Sequence, residues 1–172
     1  MSSNKFNLSD FSVKKLDAQA DLSGFDCSNN DELGLDEFIH KEALEYQKEG
    51  MGVTHLFYND DKIAGYITVA MGSIGVKMTE LEMEVYDKKR YPALLLGRLA
   101  VHSTLRRRAV GKSMILWCIG LVQRLTEEIG CRFIVLVTKG ESRIRFYKEC
   151  GFQECPIDLK EKDMKMMYFQ LF

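Results

Sequence analysis

Residues 93–113 read ALLLGRLAVHSTLRRRAVGKS, and the predicted fold is built outward from them. The apolar first part, residues 93–101, predicts a β-strand, and the last part predicts a helix that begins near Gly111. The turn between them is basic, with Arg106, Arg107, Arg108 and Lys112 around it. Because the unpaired N–H groups of a helix's first turn carry partial positive charge, this pattern is typical of a phosphate-binding turn.

Length and composition indicate the class of protein. The chain has 172 residues, 46% of them hydrophobic, and a net charge of −1, so we expect a single domain over residues 1–172. The apolar runs are shorter than the roughly 20 residues of a membrane helix, and the N-terminal residues lack the apolar block of a signal peptide. We therefore expect a soluble, cytoplasmic protein without a membrane partner. The five cysteines form no C-x-x-C pair and the three histidines lie far apart, which predicts neither a metal site nor a disulfide scaffold.

Strands and helices alternate along the chain, which predicts an α/β fold with a mixed central sheet. Further strands are predicted at residues 11–16, 53–58, 63–69, 131–137 and 164–172. Helices are predicted from a cap at Asn30 to Gly50, from Gly111 to Ile129, and from a capping box at residues 138–141 to Gly151. The second helix should bury a stripe of Met114, Cys118, Leu121, Leu125 and Ile129. Residues 72–90 are predicted to be a variable connection that borders the substrate.

Two motifs in this order resemble the GNAT superfamily of N-acetyltransferases. The spacing Arg106-x-x-Ala109-x-Gly111 is similar to its coenzyme A pyrophosphate loop, and residues 146–152, FYKECGF, resemble its FYxxxGF signature. Ala109 stands where the first loop glycine is usual, which predicts a narrower approach or an ordinary negative φ. The resemblance implies an α/β fold of the α+β sandwich type. Its mixed central sheet has splayed parallel strands, residues 94–101 and 131–138, and is flanked by helices.

The resemblance also implies a cosubstrate, acetyl-coenzyme A, and its site. The loop residues that would bind it are Arg106, Arg107, Arg108, Ala109, Val110, Gly111, Lys112 and Ser113. Backbone N–H groups of Leu99, Ala100 and Val101 would orient the pantetheine arm and polarise the thioester carbonyl. Tyr147 matches the family's general acid, and a phenol with a pKa near 10 keeps its proton at neutral pH. Gly97, inside the strand, predicts a bulge, a close approach or tight packing.

A closer resemblance is to the tRNA-acetylating toxins found beside ribbon-helix-helix antitoxins. It covers residues 25–44 (FDCSNNDELGLDEFIHKEAL), 64–74 (AGYITVAMGSI), 94–102 (LLLGRLAVH) and 146–152. It implies direct attack, in a ternary complex, by the amino group of aminoacyl-tRNA, and an antitoxin as partner. The remaining basic residues, Lys88, Lys89, Arg90, Arg143 and Arg145, are candidates for the tRNA-binding surface. Trp117 or residues 166–172, MMYFQLF, could cover a homodimer interface.

Several alternatives stay open at the level of sequence. Small amines, peptides and protein N-termini present the same nucleophile as aminoacyl-tRNA. The base that deprotonates the amine could be Glu80, Glu82, Glu84, His102 or water. A non-catalytic coenzyme A-binding or nucleic-acid-interaction module would use residues 106–108 as a basic patch. A different enzyme class would acylate Cys27 or Cys131, with His102 as base.

Overall fold

A computed structural model describes residues 5–75, 90–156, 159–161 and 163–172. Its strands are β1 (Ser12–Lys15), β2 (Val53–Asn59), β3 (Lys62–Gly75), β4 (Arg90–Val101), β5 (Phe133–Lys139), β6 (Gln153–Glu154) and β7 (Met164–Gln170). Its helices are α1 (Leu35–Glu37), which continues through a π-helical segment (Phe38–Glu42) into α2 (Ala43–Lys48), then α3 (Val110–Leu125) and α4 (Glu141–Glu149). Short 3₁₀ turns lie at Leu8–Asp10 and Ser103–Leu105.

The strands form one sheet in the order β1-β2-β3-β4-β5-β7-β6. The pairs β1–β2, β2–β3, β5–β7 and β6–β7 are antiparallel, whereas β4 and β5 are parallel. The parallel pairing joins residues 93–95 to residues 133–135, and both strands extend beyond it, to Val101 and Lys139. The predicted mixed sheet is therefore confirmed, and each predicted strand is present to within a few residues.

The described residues group into two compact units. One is drawn from Met1–Ala70 and Gly97–Cys118, and the other from Met71–Leu96 and Ile119–Phe172. Strands β3 and β4 contribute residues to both units.

The first unit has an aromatic core around Tyr66. The Tyr66 ring lies 5.9 Å from that of Phe25 and 6.4 Å from that of Phe38, and all three side chains are buried. The Tyr66 hydroxyl donates a 2.7 Å hydrogen bond to the carbonyl oxygen of Leu35, at the start of α1. Burial raises the pKa of Tyr66, so the hydroxyl remains a donor and attaches the helix to β3.

The second unit is built around Phe133 on β5. Its ring lies 5.8 Å from Tyr168 on β7 and 5.5 Å from Tyr91 on β4. Met167 and Tyr168 are both buried in the sheet, and Phe172 is the exposed residue at the end of the chain. Part of the apolar C-terminal segment, Tyr168 with Met166 against it, therefore packs in this core.

The start of the first helix differs from the prediction. Asn30 adopts a left-handed φ of 55°, whereas an N-cap residue is extended, and α1 begins only at Leu35. The carboxylate of Asp31 accepts hydrogen bonds from the backbone N–H groups of Leu35 and Asp36, both at 2.8 Å. The predicted cap at Asn30 is therefore wrong by four residues, since the residue before the helix is Gly34. Gly50, with a φ of 73°, follows α2 as predicted.

Two other helix boundaries are corrected. Helix α3 ends at Leu125, so Ile129 lies outside it with 49% of its surface exposed, while Met114 and Cys118 are buried as predicted. The predicted capping box at residues 138–141 is wrong, because Thr138 belongs to β5 and α4 follows Gly140 without a side-chain cap. Strand β6 has only two residues and was not predicted.

The predicted connection over residues 72–90 is only partly described. Strand β3 extends to Gly75 and β4 begins at Arg90, so both ends of that stretch are strand rather than loop. Residues 76–89, among them Glu80, Glu82, Glu84, Lys88 and Lys89, lie outside the described residues.

Candidate active site

The turn that follows β4 is fixed by contacts with residues 24–26. The backbone N–H of Ser103 donates to the Asp26 carbonyl at 2.8 Å, and His102 Nε2 lies 3.2 Å from the Gly24 carbonyl oxygen. Because a carbonyl oxygen only accepts, Nε2 carries the ring proton and Nδ1 accepts from the Thr104 N–H at 3.2 Å. Both nitrogens of His102 thus hold the turn, which argues against the role of general base that the sequence left open.

The basic loop combines left-handed backbone with a helix start. Arg107 and Ala109 have φ values of 62° and 64°, and α3 begins at the next residue, Val110. The Ser113 N–H already donates to the Ala109 carbonyl at 3.0 Å, so the N–H groups of the residues between are the unpaired donors of the first turn. Ala109 therefore keeps the conformation expected of the usual glycine, and the expected negative φ is wrong.

The cations of the loop have different surroundings. Arg107 and Lys112 are exposed, whereas Arg108 is partly buried, with its guanidinium carbon 4.5 Å from the centre of the Phe6 ring. The Arg106 guanidinium is bound by backbone carbonyl groups of an earlier segment. It donates to the Cys27 carbonyl at 2.9 Å and, through its other terminal nitrogen, to the Asn29 carbonyl. The structure thus brings the helix start and two exposed cations together, and Arg106 attaches residues 27–29 to the loop.

The strand segment before the turn packs closely against β3. Ala100 is buried, and Leu99 and Val101 are partly buried. A Cβ added to Gly65 on β3 would lie 2.6 Å from the Ala100 carbonyl oxygen and 2.8 Å from Met114 Sδ. At Gly97 an added Cβ would lie 3.5 Å from the Thr68 carbonyl, an ordinary contact, and the residue is exposed. Among these contacts the close backbone approach lies at Gly65, and the bulge, close approach or tight packing predicted at Gly97 stays a prediction.

Tyr147 lies in α4 of the second unit. Only 9% of its surface is exposed, and its ring lies 5.1 Å from Phe146 and 5.6 Å from Phe152. The Phe152 N–H donates to the Tyr147 carbonyl at 3.0 Å, so the motif FYKECGF closes on itself where the helix ends. Gly151, with a φ of 92°, makes that turn. The ring of Tyr147 is therefore held by its own motif.

The cysteines do not provide an activated nucleophile. Burial, followed by the charge of Asp36, raises the pKa of the Cys27 thiol to about 12. Burial also raises the pKa of Cys131, whose Sγ donates to the Phe133 carbonyl at 3.4 Å. Since the thiolate is the nucleophilic form, both groups are unreactive thiols at neutral pH. The acyl-cysteine alternative is disfavoured on this ground.

Two of the other predicted basic residues, Arg90 and Arg143, make hydrogen bonds within the protein. Arg90 donates to the Ser73 hydroxyl at 2.7 Å, and Arg143 donates to the Lys139 carbonyl at 3.1 Å. Arg145 is exposed. The Trp117 ring lies 4.7 Å from His55 and 5.3 Å from Phe57, and these ring contacts account for it within one chain.

Arg98 is a residue that the sequence analysis missed. Its guanidinium carbon lies 3.5 Å from the centre of the Phe38 ring and 5.0 Å from that of Tyr46. The signal in the sequence was a single charged residue inside the apolar run LLLGRLAV, where an unpaired cation is unexpected.

The described part of the chain shows neither a metal site nor a membrane-spanning helix. Within it, no group of three or more His, Cys, Asp or Glu residues is arranged to hold a metal ion. None of the helices there is long and apolar enough to cross a membrane.

Comparison with known proteins gives the same fold. The model of the acetyltransferase (GNAT) family matches residues 20–152. AtaT complexed with acetyl-methionyl-tRNAfMet is 19% identical over 94% of this chain and 95% of that one, with a TM-score of 0.80. A tyrosine-to-phenylalanine mutant of KacT is 16% identical, over 94% and 95%, with a TM-score of 0.79. A similar mutant of the AtaT toxin, bound to the C-terminus of the antitoxin AtaR and acetyl-CoA, is 20% identical over 94% of each chain, with a TM-score of 0.72.

Proposed function

This chain belongs to the acetyltransferase (GNAT) family, and from that premise we propose that it transfers the acetyl group of acetyl-coenzyme A to the amino group of aminoacyl-tRNA. The observation that supports acetyl-coenzyme A as the cosubstrate is the left-handed turn at Arg107 and Ala109, which leads directly into α3. Such a turn aims backbone N–H groups at one point, as a pyrophosphate requires. The exposed cations Arg107 and Lys112 add two positive charges beside it.

The proposed roles of the site residues follow from their contacts. The N–H groups of residues 110–112 bind the pyrophosphate, and Arg108, stacked on Phe6, supports the loop from one side. Arg106 is a positioning residue, because its guanidinium is engaged by the carbonyl groups of Cys27 and Asn29. Leu99, Ala100 and Val101 supply backbone N–H groups to the pantetheine arm and the thioester carbonyl.

Tyr147 is the proposed general acid. The acetyl group arrives as a thioester, whose C–S bond breaks as the bond from the acceptor nitrogen to the acetyl carbon forms. The Tyr147 hydroxyl gives its proton to the departing sulfur, and the proton lost by the amine goes to water or a base. Because its ring is held by Phe146 and Phe152, the phenol is positioned before the reaction begins.

The acceptor is the finer part of the proposal. It is supported by the likeness to AtaT, which is described in complex with acetyl-methionyl-tRNAfMet. The same likeness, to a toxin bound by its antitoxin, supports an antitoxin as partner of this chain. With a net charge of −1, the chain must bind tRNA through local groups. A small amine, a peptide or a protein N-terminus is the second candidate.

Incubation with charged tRNA and labelled acetyl-coenzyme A tests the acceptor. We expect label in the aminoacyl group, and a rate that falls steeply as salt is raised from about 50 to 200 mM, because phosphate contacts release counterions. Uncharged tRNA is the matched control and should stay unlabelled. Turnover of a small amine without any label in the tRNA would assign the protein to the second candidate.

Tyr147→Phe tests the general acid. The ring volume is kept, so we expect the melting temperature and the KM for acetyl-coenzyme A to change little. The turnover number should fall by about 10²–10⁴-fold, because the variant lacks the proton donor and this donor stabilises only the transition state. The double variant Tyr147→Phe/Phe146→Tyr is the control. It places a hydroxyl at the adjacent residue and should not recover the lost activity. Full activity of Tyr147→Phe would mean that water protonates the sulfur.

A further inference from the structure

Arg98 projects from β4 onto an aromatic surface formed by the first helical segment. Its guanidinium lies against the rings of Phe38 and Tyr46, which meet edge to face at 5.6 Å. Phe38 stacks in turn on Tyr66, and both are buried, so this surface belongs to the core of its unit. A cation stacked on fixed rings has lost most of its rotational freedom before any ligand arrives.

The π-helical segment explains how two rings of one helix reach the same guanidinium. Phe38 opens the segment Phe38–Glu42, and Tyr46 follows eight positions later in α2. Eight residues exceed two α-helical turns of about 3.6 residues each, so the wider π turn brings the two rings closer to one face. Such segments are unfavourable in isolation and are frequent at functional sites.

The donors of Arg98 are not used by the described part of the protein. Arg90, Arg106 and Arg143 all donate hydrogen bonds to carbonyl or hydroxyl oxygens. Arg98, within the described residues, makes ring contacts only, although its side chain is partly buried. Stacking occupies the face of a guanidinium and leaves the five N–H donors of its plane directed outward. A partly buried cation of this kind is most stable with an anion in that plane.

The position of Arg98 relates it to the transfer reaction. It directly precedes Leu99, the first residue whose backbone is proposed to bind the pantetheine arm. Successive residues of a strand are about 3.3 Å apart and alternate between its faces, so Arg98 shares a face with Ala100. Ala100 packs in the same cluster as Phe38 and Tyr66.

We propose that Arg98 binds an anionic group of the acceptor, a phosphate or a carboxylate, through the in-plane N–H donors of its guanidinium. This role of Arg98 rests on the proposed acetyl transfer. It requires that the acceptor carry an anionic group in addition to its amine. In aminoacyl-tRNA, the acceptor proposed above, the anion is a backbone phosphate, and a response to the carboxylate alone would overturn the tRNA assignment in favour of a peptide. Arg98 is thereby a specificity-determining residue, because an acceptor without the anion leaves this cation unpaired.

Matched pairs of acceptors test the proposal. One pair is an aminoacyl-adenosine with and without a 5′-phosphate, and the other is a dipeptide with a free or an amidated C-terminus. We expect Arg98→Gln to lower kcat/KM for the anionic member of one pair by roughly 10- to 100-fold, the loss expected for a charge-assisted hydrogen bond. The neutral members and the KM for acetyl-coenzyme A should change by less than about 3-fold. Arg98→Lys keeps the charge without the planar fork and should lie between wild type and Arg98→Gln.

The control is Arg124→Gln, at an exposed arginine in the last turn of α3, which should leave all four acceptors unaffected. An equal loss for charged and neutral acceptors would mean that Arg98 only stabilises the fold. The pair that responds identifies the anion, since phosphate and carboxylate are varied separately.

A second measurement does not depend on turnover. The Nε–H resonance of Arg98, identified by its loss in Arg98→Gln, is followed by NMR while inorganic phosphate or acetate is added to protein saturated with coenzyme A. We expect one of the two anions to shift it, and no shift with either would overturn the proposal. If coenzyme A itself does not bind, the proposed function fails, and the same titration without coenzyme A still decides whether Arg98 binds an anion.

Discussion

His55 is a partly buried imidazole that packs against Trp117 at 4.7 Å. Burial, followed by the charge of Lys15, lowers its pKa below the ordinary value of about 6.5. The unfolded chain therefore binds a proton at a higher pH than the folded chain does. The contribution of His55 to stability is present above about pH 6.5 and is lost as the pH falls through that value toward the lowered pKa.

His55→Gln should flatten this part of the stability profile. Melting temperatures measured in steps from pH 8 to pH 5 should fall less below pH 6.5 in the variant than in the wild type. Gln19→Ala, at an exposed residue that does not titrate, is the control and should keep the wild-type slope. Identical slopes in His55→Gln and wild type would mean that other groups cause the pH dependence.

Ala109 holds a left-handed conformation that alanine adopts at a cost of about 1–2 kcal/mol. Ala109→Gly removes this cost but raises the conformational entropy of the unfolded chain, which opposes part of the gain, so we expect a net gain of about 0.5–1 kcal/mol. For a chain of this size, the melting temperature should rise by roughly 1–4 °C. Ala18→Gly, at an exposed alanine outside the positive-φ positions, should lower it instead. A decrease in Ala109→Gly would indicate that the methyl group makes a stabilising contact.

Single residues were predictable where their partners are local in sequence. Tyr147, Phe152 and the turn at Gly151 belong to one short motif, and the structure joins them as neighbours. The contacts of Arg106 were not predictable, because its carbonyl partners at Cys27 and Asn29 lie 79 and 77 residues away. The ring contacts of Arg98 with Phe38 and Tyr46 also join residues far apart in the sequence.

The packing of β3 against β4 depends on the absence of a side chain at Gly65. Gly65→Ala places a Cβ 2.6 Å from the Ala100 carbonyl oxygen, and backbone cannot move away as a side chain can. We expect a loss of about 1–3 kcal/mol, seen as a lower midpoint in urea unfolding. Gly97→Ala, also in a strand but with only an ordinary 3.5 Å contact, should change the midpoint little. Equal effects of the two substitutions would show that the close approach at Gly65 is relieved by a small backbone shift.

Whole elements were predictable from periodicity, and their ends were not. The strands around residues 93–101 and 131–137 were predictable because buried strands are long apolar runs. The start of α1 depends on the carboxylate of Asp31, which the sequence does not distinguish from the neighbouring Asn30. Strand β6 is too short to show any period, since its two residues are defined by hydrogen bonds to β7.

At the scale of the molecule, the sequence predicts the fold and the cosubstrate more clearly than it predicts the acceptor. The loop and the FYKECGF motif are compact signals, because a pyrophosphate and a thiolate are recognised by residues close together in sequence. An acceptor of any size is recognised by groups gathered from distant elements, as the contacts of Arg98 with Phe38 and Tyr46 illustrate. For this reason composition and net charge did not identify the amine.

The single domain predicted for residues 1–172 can be tested by ligand-linked melting. Because β3 and β4 contribute to both compact units, we expect one cooperative transition, in which calorimetric and van't Hoff enthalpies agree. Acetyl-coenzyme A at about 100 times its Kd should add about 2.7 kcal/mol, which raises the melting temperature of this chain by roughly 5–10 °C. Pantetheine, which lacks the pyrophosphate, should shift it much less, and so should acetyl-coenzyme A with the Arg107→Gln/Lys112→Gln double variant. Two transitions, of which the cosubstrate moves only one, would show that the units unfold independently and that the chain is not one cooperative domain.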